Sequence, residues 1–302
     1  MNTATSTSYR WWAYLQLMRP ANIITAWADI MAGFAASGYF VLNHQFNLIP
    51  LLWLLLATTG LYGGGIVFND VFDTKLDAQE RPERPIPSGR ASRNGATLLG
   101  GMLLSVGVAA AAQVSWLSAT VAIAIASFAL LYDAFGKHHP IFGPINMGIC
   151  RGGNLLLGAS ILPMALREYW FLALIPIVYI AAITILSRGE VHGAKLNTAL
   201  VALSLIVIVI AGLLGLGLLP DYQVLTALPF VVVFAVRVLF PFIKAVREPT
   251  PEQIRIAVKA GILSLIVLDS TVAAGFAGLL YGLLVLGLLP ISIKLAQVFA
   301  VT

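Results

Sequence analysis

The sequence predicts an all-α membrane protein, a bundle of about nine transmembrane helices with loops that cap one end. Of its 302 residues, 59% are hydrophobic and only 10% are charged, whereas soluble domains carry about a quarter charged residues. Apolar runs long enough to cross a bilayer recur with short breaks. The single cysteine, Cys150, lies inside an apolar run, so we expect no disulfide framework.

The predicted spans follow one another along the whole chain with no polar stretch of domain size between them. We therefore treat residues 1–302 as a single domain. A tenth apolar piece, residues 283–300, is expected to be interfacial or packed on the bundle. The nine spans are residues 21–42, 48–70, 96–114, 116–135, 141–163, 168–187, 196–219, 222–245 and 260–282.

Basic residues gather in the N-terminus and in alternate loops, while the opposite side holds Arg167 and Lys294. The positive-inside rule then places the N-terminus and the long loops in the cytoplasm, with the bundle in the inner (plasma) membrane. The net charge of +5 is explained by this anchoring in a lipid bilayer, and no nucleic-acid partner is implied. Residues 1–9 lack the pattern of a removable signal peptide. Residues 246–259 are expected to form a short surface helix.

One stretch, residues 66–90, concentrates acidic residues at the end of an apolar run. At 100° per residue, Asp70, Asp73, Asp77 and Glu80 fall in one narrow stripe of a helix. Like charges at this spacing repel unless a cation bridges them. Carboxylates are hard ligands suited to Mg²⁺ held jointly with phosphate oxygens. The alternative is a solvated helix end whose acids are balanced by nearby arginines.

Several polar residues lie inside predicted spans, where they are costly unless paired. They either line a polar cavity for an acceptor or diphosphate, or pair between helices, for instance Arg237 with Asp29 or Asp269. Both explanations stay open on the sequence. The residues are Asn22, Asp29, Asn146, Arg151, Asn154, Arg237, Lys244 and Asp269.

The acidic stretch resembles a known family. Asn69-Asp70-x-x-Asp73-x-x-x-Asp77, followed by Arg84-Pro85-Ile86-Pro87-Ser88-Gly89, closely resembles the first aspartate-rich motif and loop of the UbiA superfamily of intramembrane prenyltransferases. Arg19-Pro20 with Asn22, and Tyr132 to Lys137 with Gly143 and Asn146, are similar to further segments of that family. Residues 186–193, together with the stretch from Asn146 through Cys150 to Asn154, resemble the UbiA-like subgroup called EboC.

The resemblance implies a Mg²⁺-dependent prenyltransferase that joins the chain of an isoprenyl diphosphate to a small cyclic acceptor. In that family Mg²⁺ assists departure of the diphosphate, and the acceptor attacks the resulting allylic cation. The implied metal ligands are Asn69, Asp70, Asp73, Asp77 and Glu190, whose four carboxylates are also the implied catalytic residues. The implied substrate-binding residues are Asn22, Asn69, Arg84, Tyr132, Lys137, Asn146, Arg151, Asn154, Arg188 and His192.

The second acidic motif departs from the family pattern. The family usually has Asp-x-x-x-Asp, but this chain reads Glu190-Val191-His192-Gly193-Ala194. Water or His192 could complete the site, the second metal could bind weakly, or Arg188 could supply the missing positive charge. A disabled site would instead make the chain a non-catalytic relative that binds or moves a lipid-linked phosphate in specialised metabolism. A cation-coupled transporter fits less well, because the stripe lies at a helix end rather than at the mid-bilayer.

Overall fold

The computed structural model describes residues 3–39, 47–137 and 139–299, and the regular elements in these ranges are helices. Short π- or 3₁₀-helical turns adjoin three of them, at Tyr132–Gly136, Trp170–Ala173 and Leu216–Leu218. The helices are α1 (Thr3–Met18), α2 (Pro20–Ala36), α3 (Ile49–Phe72), α4 (Thr74–Glu80), α5 (Arg93–Ala112), α6 (Trp116–Leu131), α7 (Phe142–Ala159), α8 (Pro163–Glu168), α9 (Leu174–Ser187), α10 (Leu196–Gly215), α11 (Val224–Arg247), α12 (Pro251–Ala277), α13 (Leu279–Leu286) and α14 (Leu288–Val298).

The long helices pack so that neighbours along the chain are also neighbours in space. Each of α2, α3, α5, α6, α7, α9, α10, α11 and α12 packs on the next, and α12 returns to α2. Helix α2 also packs on α7 and α14, so it has partners on several sides. This explains why nearly all of α2 is buried. Helix α2 is the central helix of the bundle.

Two glycines let α2 and α7 approach closely. A Cβ at Gly33 would lie 1.9 Å from the Leu155 carbonyl oxygen, and one at Gly158 would lie 2.3 Å from the Ile30 carbonyl oxygen. Burial against lipid gives helices no hydrophobic gain, so close backbone packing at small residues drives their association. The two glycines therefore set the distance between the central helix and α7.

A buried polar cluster ties the same two helices together. Arg151 Nε lies 2.7 Å from Asp29 Oδ2, and the Asn154 side chain donates to the same oxygen at 2.9 Å. Arg151 also lies over the Tyr62 ring, 5.3 Å from its centroid. The expected pairing of Arg237 with Asp29 is therefore wrong. Arg237 lies on α11, which packs on α10 and α12, whereas Arg151 lies on α7, which packs directly on α2.

The structure contains eight helices long and apolar enough to cross a membrane among the described residues, against the nine spans predicted. Two predicted spans are not among the eight. The described helix of the first, Pro20–Ala36, has only 17 residues, and residues 40–42 lie outside the described ranges. The second, 141–163, is less apolar because it carries polar residues. Conversely, Leu279–Val298 has the length and apolarity of a span, and its last helix packs on α2.

The expected short surface helix at 246–259 is wrong, because α12 runs without a break from Pro251 to Ala277. Thr250 is the N-cap, and its hydroxyl oxygen accepts from the Gln253 amide at 3.4 Å. Proline is favoured at the first helical position, since its missing N–H has no partner there anyway. The predicted ninth span therefore begins several residues too late, and the first turns of α12 carry Arg255 to the loop end of the bundle.

We expect Gly33→Ala to lower stability by about 1–3 kcal/mol, because the added methyl group meets backbone atoms of α7. Gly101→Ala is the matched control, since a Cβ there meets nothing within 4 Å. The measurement is the thermal unfolding midpoint of each variant in detergent. Equal midpoints for the two variants would contradict the close crossing of α2 and α7.

Candidate active site

The acidic stretch does not form one continuous helix. Helix α3 ends at Phe72, Asp73 is its C-cap, and α4 begins at Thr74. The Thr74 hydroxyl donates to the carbonyl oxygens of Val71 at 2.8 Å and Asp70 at 3.2 Å, which satisfies groups that the helix end leaves free. The predicted single stripe is wrong in this respect, and Glu80 is exposed at the far end of α4. Three aspartates remain near the break.

Two arginines from different parts of the chain pair with these aspartates. Arg19 Nη2 lies 2.9 Å from Asp70 Oδ1. Arg84 Nη1 lies 2.8 Å from Asp77 Oδ2 and 3.4 Å from Asp70 Oδ1. Arg19 joins α1 to α2 with a φ of 46°, an uncommon conformation for a residue with a side chain. The pairing brings together the start of the central helix and the α3–α4 junction.

The loop that carries Arg84 is fixed by packing and by hydrogen bonds. Ile86 and Ala91 are buried against Leu17 of α1 and against α3. The Arg90 guanidinium donates to the Gln16 side chain at 2.7 Å and to the Glu83 carbonyl oxygen at 2.6 Å. The Arg84 side chain is therefore presented to the aspartates by an anchored loop.

The opposite side of the junction faces the end of α6. The Asn69 side chain donates to Asp133 Oδ1 at 2.8 Å, and Lys137 pairs with Asp73. Asp133 lies in the π-helical turn Tyr132–Gly136. π-Helical turns are rare in proteins, and those that occur are often found at functional sites. The structure thus brings the predicted residues Asn69, Asp73 and Lys137 together, and places Tyr132 in the same turn.

A cavity of about 750 Å³ opens at this end of the bundle, and residues of both acidic motifs line it. Asp70 comes from the first motif and Glu190 from the second. Pro85, Val191 and Pro251 add apolar wall. The charged lining consists of five arginines and three carboxylates: Arg19, Arg81, Arg84, Arg90, Arg255, Asp70, Glu83 and Glu190.

Glu190 is half-buried beside two of these arginines. Burial raises the pKa of its carboxyl above the ordinary value, while the positive charges of Arg81 and Arg255 act in the opposite direction. The two guanidinium groups therefore favour the ionised carboxylate, against the effect of burial. Neither arginine was identified as a site residue from the sequence, although Arg81 belongs to the run Arg-Pro-Glu-Arg-Pro that follows the first motif.

The structure places several predicted site residues away from the cavity. Arg188 donates to the carbonyl oxygens of His139 at 2.8 Å and Pro140 at 3.1 Å. His192 is exposed. Four others lie inside the bundle. Asn22 is buried on α2, Asn146 is buried on α7, and Arg151 and Asn154 bind Asp29.

Among the residues that the structure describes, no group of three or more His, Cys, Asp or Glu side chains is arranged to hold a metal ion. Magnesium at phosphate sites uses one or two carboxylates and takes its other ligands from phosphate and water. Asp70, Asp73 and Asp77, with the Asn69 amide, supply hard oxygen donors at the α3–α4 junction. These residues therefore fit a cation shared with a phosphate ligand.

Comparison with known proteins identifies the family. The model of the UbiA prenyltransferase family matches residues 30–265 of this chain, which is well over half of its length. The chain belongs to the UbiA prenyltransferase family and is therefore an enzyme of the prenyltransferase class, embedded in the membrane by several spans.

Several curated relatives are digeranylgeranylglyceryl phosphate synthases. A digeranylgeranylglyceryl phosphate synthase from Methanothrix thermoacetophila is 30% identical over 231 residues, covering 69% of this chain and 82% of the relative. Another from Methanosarcina mazei is 32% identical over 162 residues, covering 49% of this chain and 54% of the relative. For that second relative, and for others like it, the match spans only about half of the relative's length.

Solved structures share the fold. A digeranylgeranylglyceryl phosphate synthase structure has a TM-score of 0.67 at 20% identity and covers 88% of this chain and 98% of that one. A UbiA homologue from Archaeoglobus fulgidus bound to GPP and Mg²⁺ has a TM-score of 0.64 at 16% identity, and the match covers 91% of this chain and 99% of that one. An apo UbiA homologue from Aeropyrum pernix K1 has a TM-score of 0.68 at 16% identity, and the match covers 82% of this chain and 96% of that one. The predicted helical membrane fold is confirmed.

We expect Arg255→Gln to raise the pKa of Glu190 further, because it removes one of the two positive charges that favour the ionised carboxylate. The measurement is the pH dependence of the protonated-carboxyl infrared band that disappears in Glu190→Gln. Arg247→Gln, which removes an exposed arginine that does not line the cavity, is the control and should leave the pKa unchanged. A lower pKa in Arg255→Gln would contradict this electrostatic arrangement.

Proposed function

We propose that this protein transfers an isoprenyl chain from an isoprenyl diphosphate to a small acceptor in a Mg²⁺-dependent reaction. One observation carries the proposal. Asp70 and Glu190, which lie far apart in the chain, line the same arginine-rich cavity at the end of the bundle. Such a cavity suits an anion of high charge, and its position lets an apolar tail run between helices. The relatives' names and the GPP-bound and Mg²⁺-bound homologue support the same choice.

The aspartates at the α3–α4 junction are the proposed metal side of the site. Asn69, Asp70, Asp73 and Asp77 would hold Mg²⁺ together with oxygens of the diphosphate. Mg²⁺, when bound, neutralises charge on the diphosphate and assists its departure. Arg19, Arg84 and Lys137 already contact these aspartates, so their donors lie where the diphosphate oxygens would sit.

Bidentate guanidinium contacts to phosphate oxygens are strong and directional. Arg84 is therefore proposed to clamp the diphosphate, and Lys137 to add a second positive charge. Tyr132 begins the π-helical turn that follows α6, next to Asp133. The face of its ring is proposed to stabilise positive charge on the allylic carbon. Asn22 and Asn146, both buried, are proposed to contact the acceptor.

We further propose a membrane orientation, a domain organisation and a subgroup for this chain. We infer a single domain with the N-terminus and the cavity on the cytoplasmic side of the inner membrane, following the excess of basic residues at that end. The motif around Ser187-Arg188-Gly189-Glu190 supports a place in the EboC-like subgroup, while the curated relatives bear another name. Lipid extracts from cells with and without the gene, compared by mass spectrometry, would identify the acceptor through its prenylated product.

The purified protein is expected to release diphosphate from geranyl or geranylgeranyl diphosphate in the presence of Mg²⁺ and a lipid-extract acceptor pool. Chelation of the metal should abolish this release, because the charge of the leaving diphosphate would no longer be neutralised. The readout is free diphosphate over time. Tight diphosphate binding with no release under any condition would favour the alternative, a protein that binds or moves a lipid-linked phosphate.

Asp73→Asn is expected to reduce the rate by about 10²-fold or more, as is typical when one group that stabilises charge in a transition state is removed. Glu80→Gln is the matched control, because Glu80 belongs to the same acidic stretch but is exposed at the far end of α4. We expect that control to keep nearly the full rate. Equal rates for Asp73→Asn and the wild type would overturn the assignment of Asp73 to the metal side.

A further inference from the structure

Two arginines of the cavity differ from the other three. Arg19 and Arg84 pair with aspartates, and Arg90 donates to Gln16 and to the Glu83 carbonyl oxygen. The side chains of Arg81 and Arg255 have no ion pair and no hydrogen bond within the described part of the chain. They line the cavity with their donors unused.

The third charged side chain at this part of the cavity is Glu190. Its electrostatic partners are Arg81 and Arg255, and all three line the cavity. Two guanidinium groups and one carboxylate leave one net positive charge at this wall. A divalent cation placed there would be repelled by both arginines, whereas a phosphate oxygen would be attracted. The local charge therefore selects an anion.

Position 194, where a second carboxylate could cancel the net positive charge, does not point towards Glu190. Ala194 takes the position of the second carboxylate of the family's usual pattern, but its backbone N–H donates to the Pro249 carbonyl oxygen at 3.2 Å, and its methyl group packs against the apolar core. The turn that ends at Gly193, with a φ of 82°, separates Ala194 from Glu190. Ala194 therefore adds no second carboxylate beside Glu190, and the charged side chains that act on Glu190 are those of Arg81 and Arg255.

We propose that Arg81 and Arg255, together with the nearby Glu190, form a metal-independent phosphate subsite in the same cavity that Asp70 lines. A prenyl diphosphate is then held by a divalent cation on the aspartate side and directly by two guanidinium groups on the other. Glu190 offsets part of the positive charge of the two arginines and is not a metal ligand. The identity of the ligand as a diphosphate rests on the proposed function, but the anion subsite itself does not.

The first test is calorimetric binding of inorganic pyrophosphate to the purified full chain in a chelating buffer. The wild type is expected to bind, and Arg81→Gln and Arg255→Gln should each weaken binding about tenfold, because each variant loses a charge-assisted hydrogen bond to a phosphate oxygen. Arg247→Gln, outside the cavity, should bind as the wild type does. No metal-free binding by the wild type, or equal binding by all variants, would overturn the subsite.

The second test counts metal ions. Equilibrium dialysis with Mn²⁺ and pyrophosphate is expected to show one Mn²⁺ per chain. Glu190→Gln should keep that ratio and strengthen metal-free pyrophosphate binding, because it removes a negative charge beside the two guanidinium groups. Two Mn²⁺ per chain, reduced to one in Glu190→Gln, would make Glu190 a metal ligand and overturn the proposal. Thermal unfolding midpoints close to that of the wild type verify that each variant is folded.

The two proposals fail in different ways. If pyrophosphate binds as expected but prenyl diphosphates are never consumed, the prenyltransferase function fails and the phosphate subsite stands. If prenyl diphosphates are consumed while the arginine variants bind pyrophosphate normally without metal, the subsite fails and the function stands.

Discussion

The ion pairs between Arg84 and the aspartates of the first motif are the interaction on which the rest of the site depends. One guanidinium nitrogen lies within 3.0 Å of both Asp77 oxygens and 3.4 Å from Asp70. The side chains of Asp70 and Asp77 are only 6% exposed, so removing Arg84 would leave nearly buried carboxylates with less compensation. The same contact joins α3, α4 and the following loop, and it defines one wall of the cavity.

The central helix connects this polar end to the interior of the bundle. Arg19 stands just before α2 and pairs with Asp70. Asp29 stands ten residues further along and pairs with Arg151, and at 1.5 Å per residue this is about 15 Å deeper. Charged groups inside a membrane bundle are tolerated when they face its interior and pair with each other. Charged groups therefore lie at two depths along α2, and of these the outer group, Arg19, lines the cavity while Asp29 does not.

The sequence allowed the acidic side of the site to be predicted but not the basic side. The spacing of Asp70, Asp73 and Asp77 placed them on one helix end, and the resemblance to the family added Glu190, Arg84 and Lys137. Periodicity does not reveal a helix break, so the turn at Asp73 was missed. The arginines opposite were missed because their proximity to Glu190 depends on how α4 and α12 meet. The start of α12 was predictable, since Thr250-Pro251 is a typical N-cap followed by proline.

We propose that the aspartates of the α3–α4 junction bind a cation, while Arg81 and Arg255 beside Glu190 bind the anion directly. The most direct measurement is a crystal structure with Mn²⁺ and a non-hydrolysable prenyl thiodiphosphate, with anomalous scattering used to locate the metal. We predict a single manganese peak among Asp70, Asp73 and Asp77, with diphosphate oxygens within hydrogen-bonding distance of Arg81 and Arg255. A manganese peak coordinated by Glu190, or none at the aspartates, would contradict the claim.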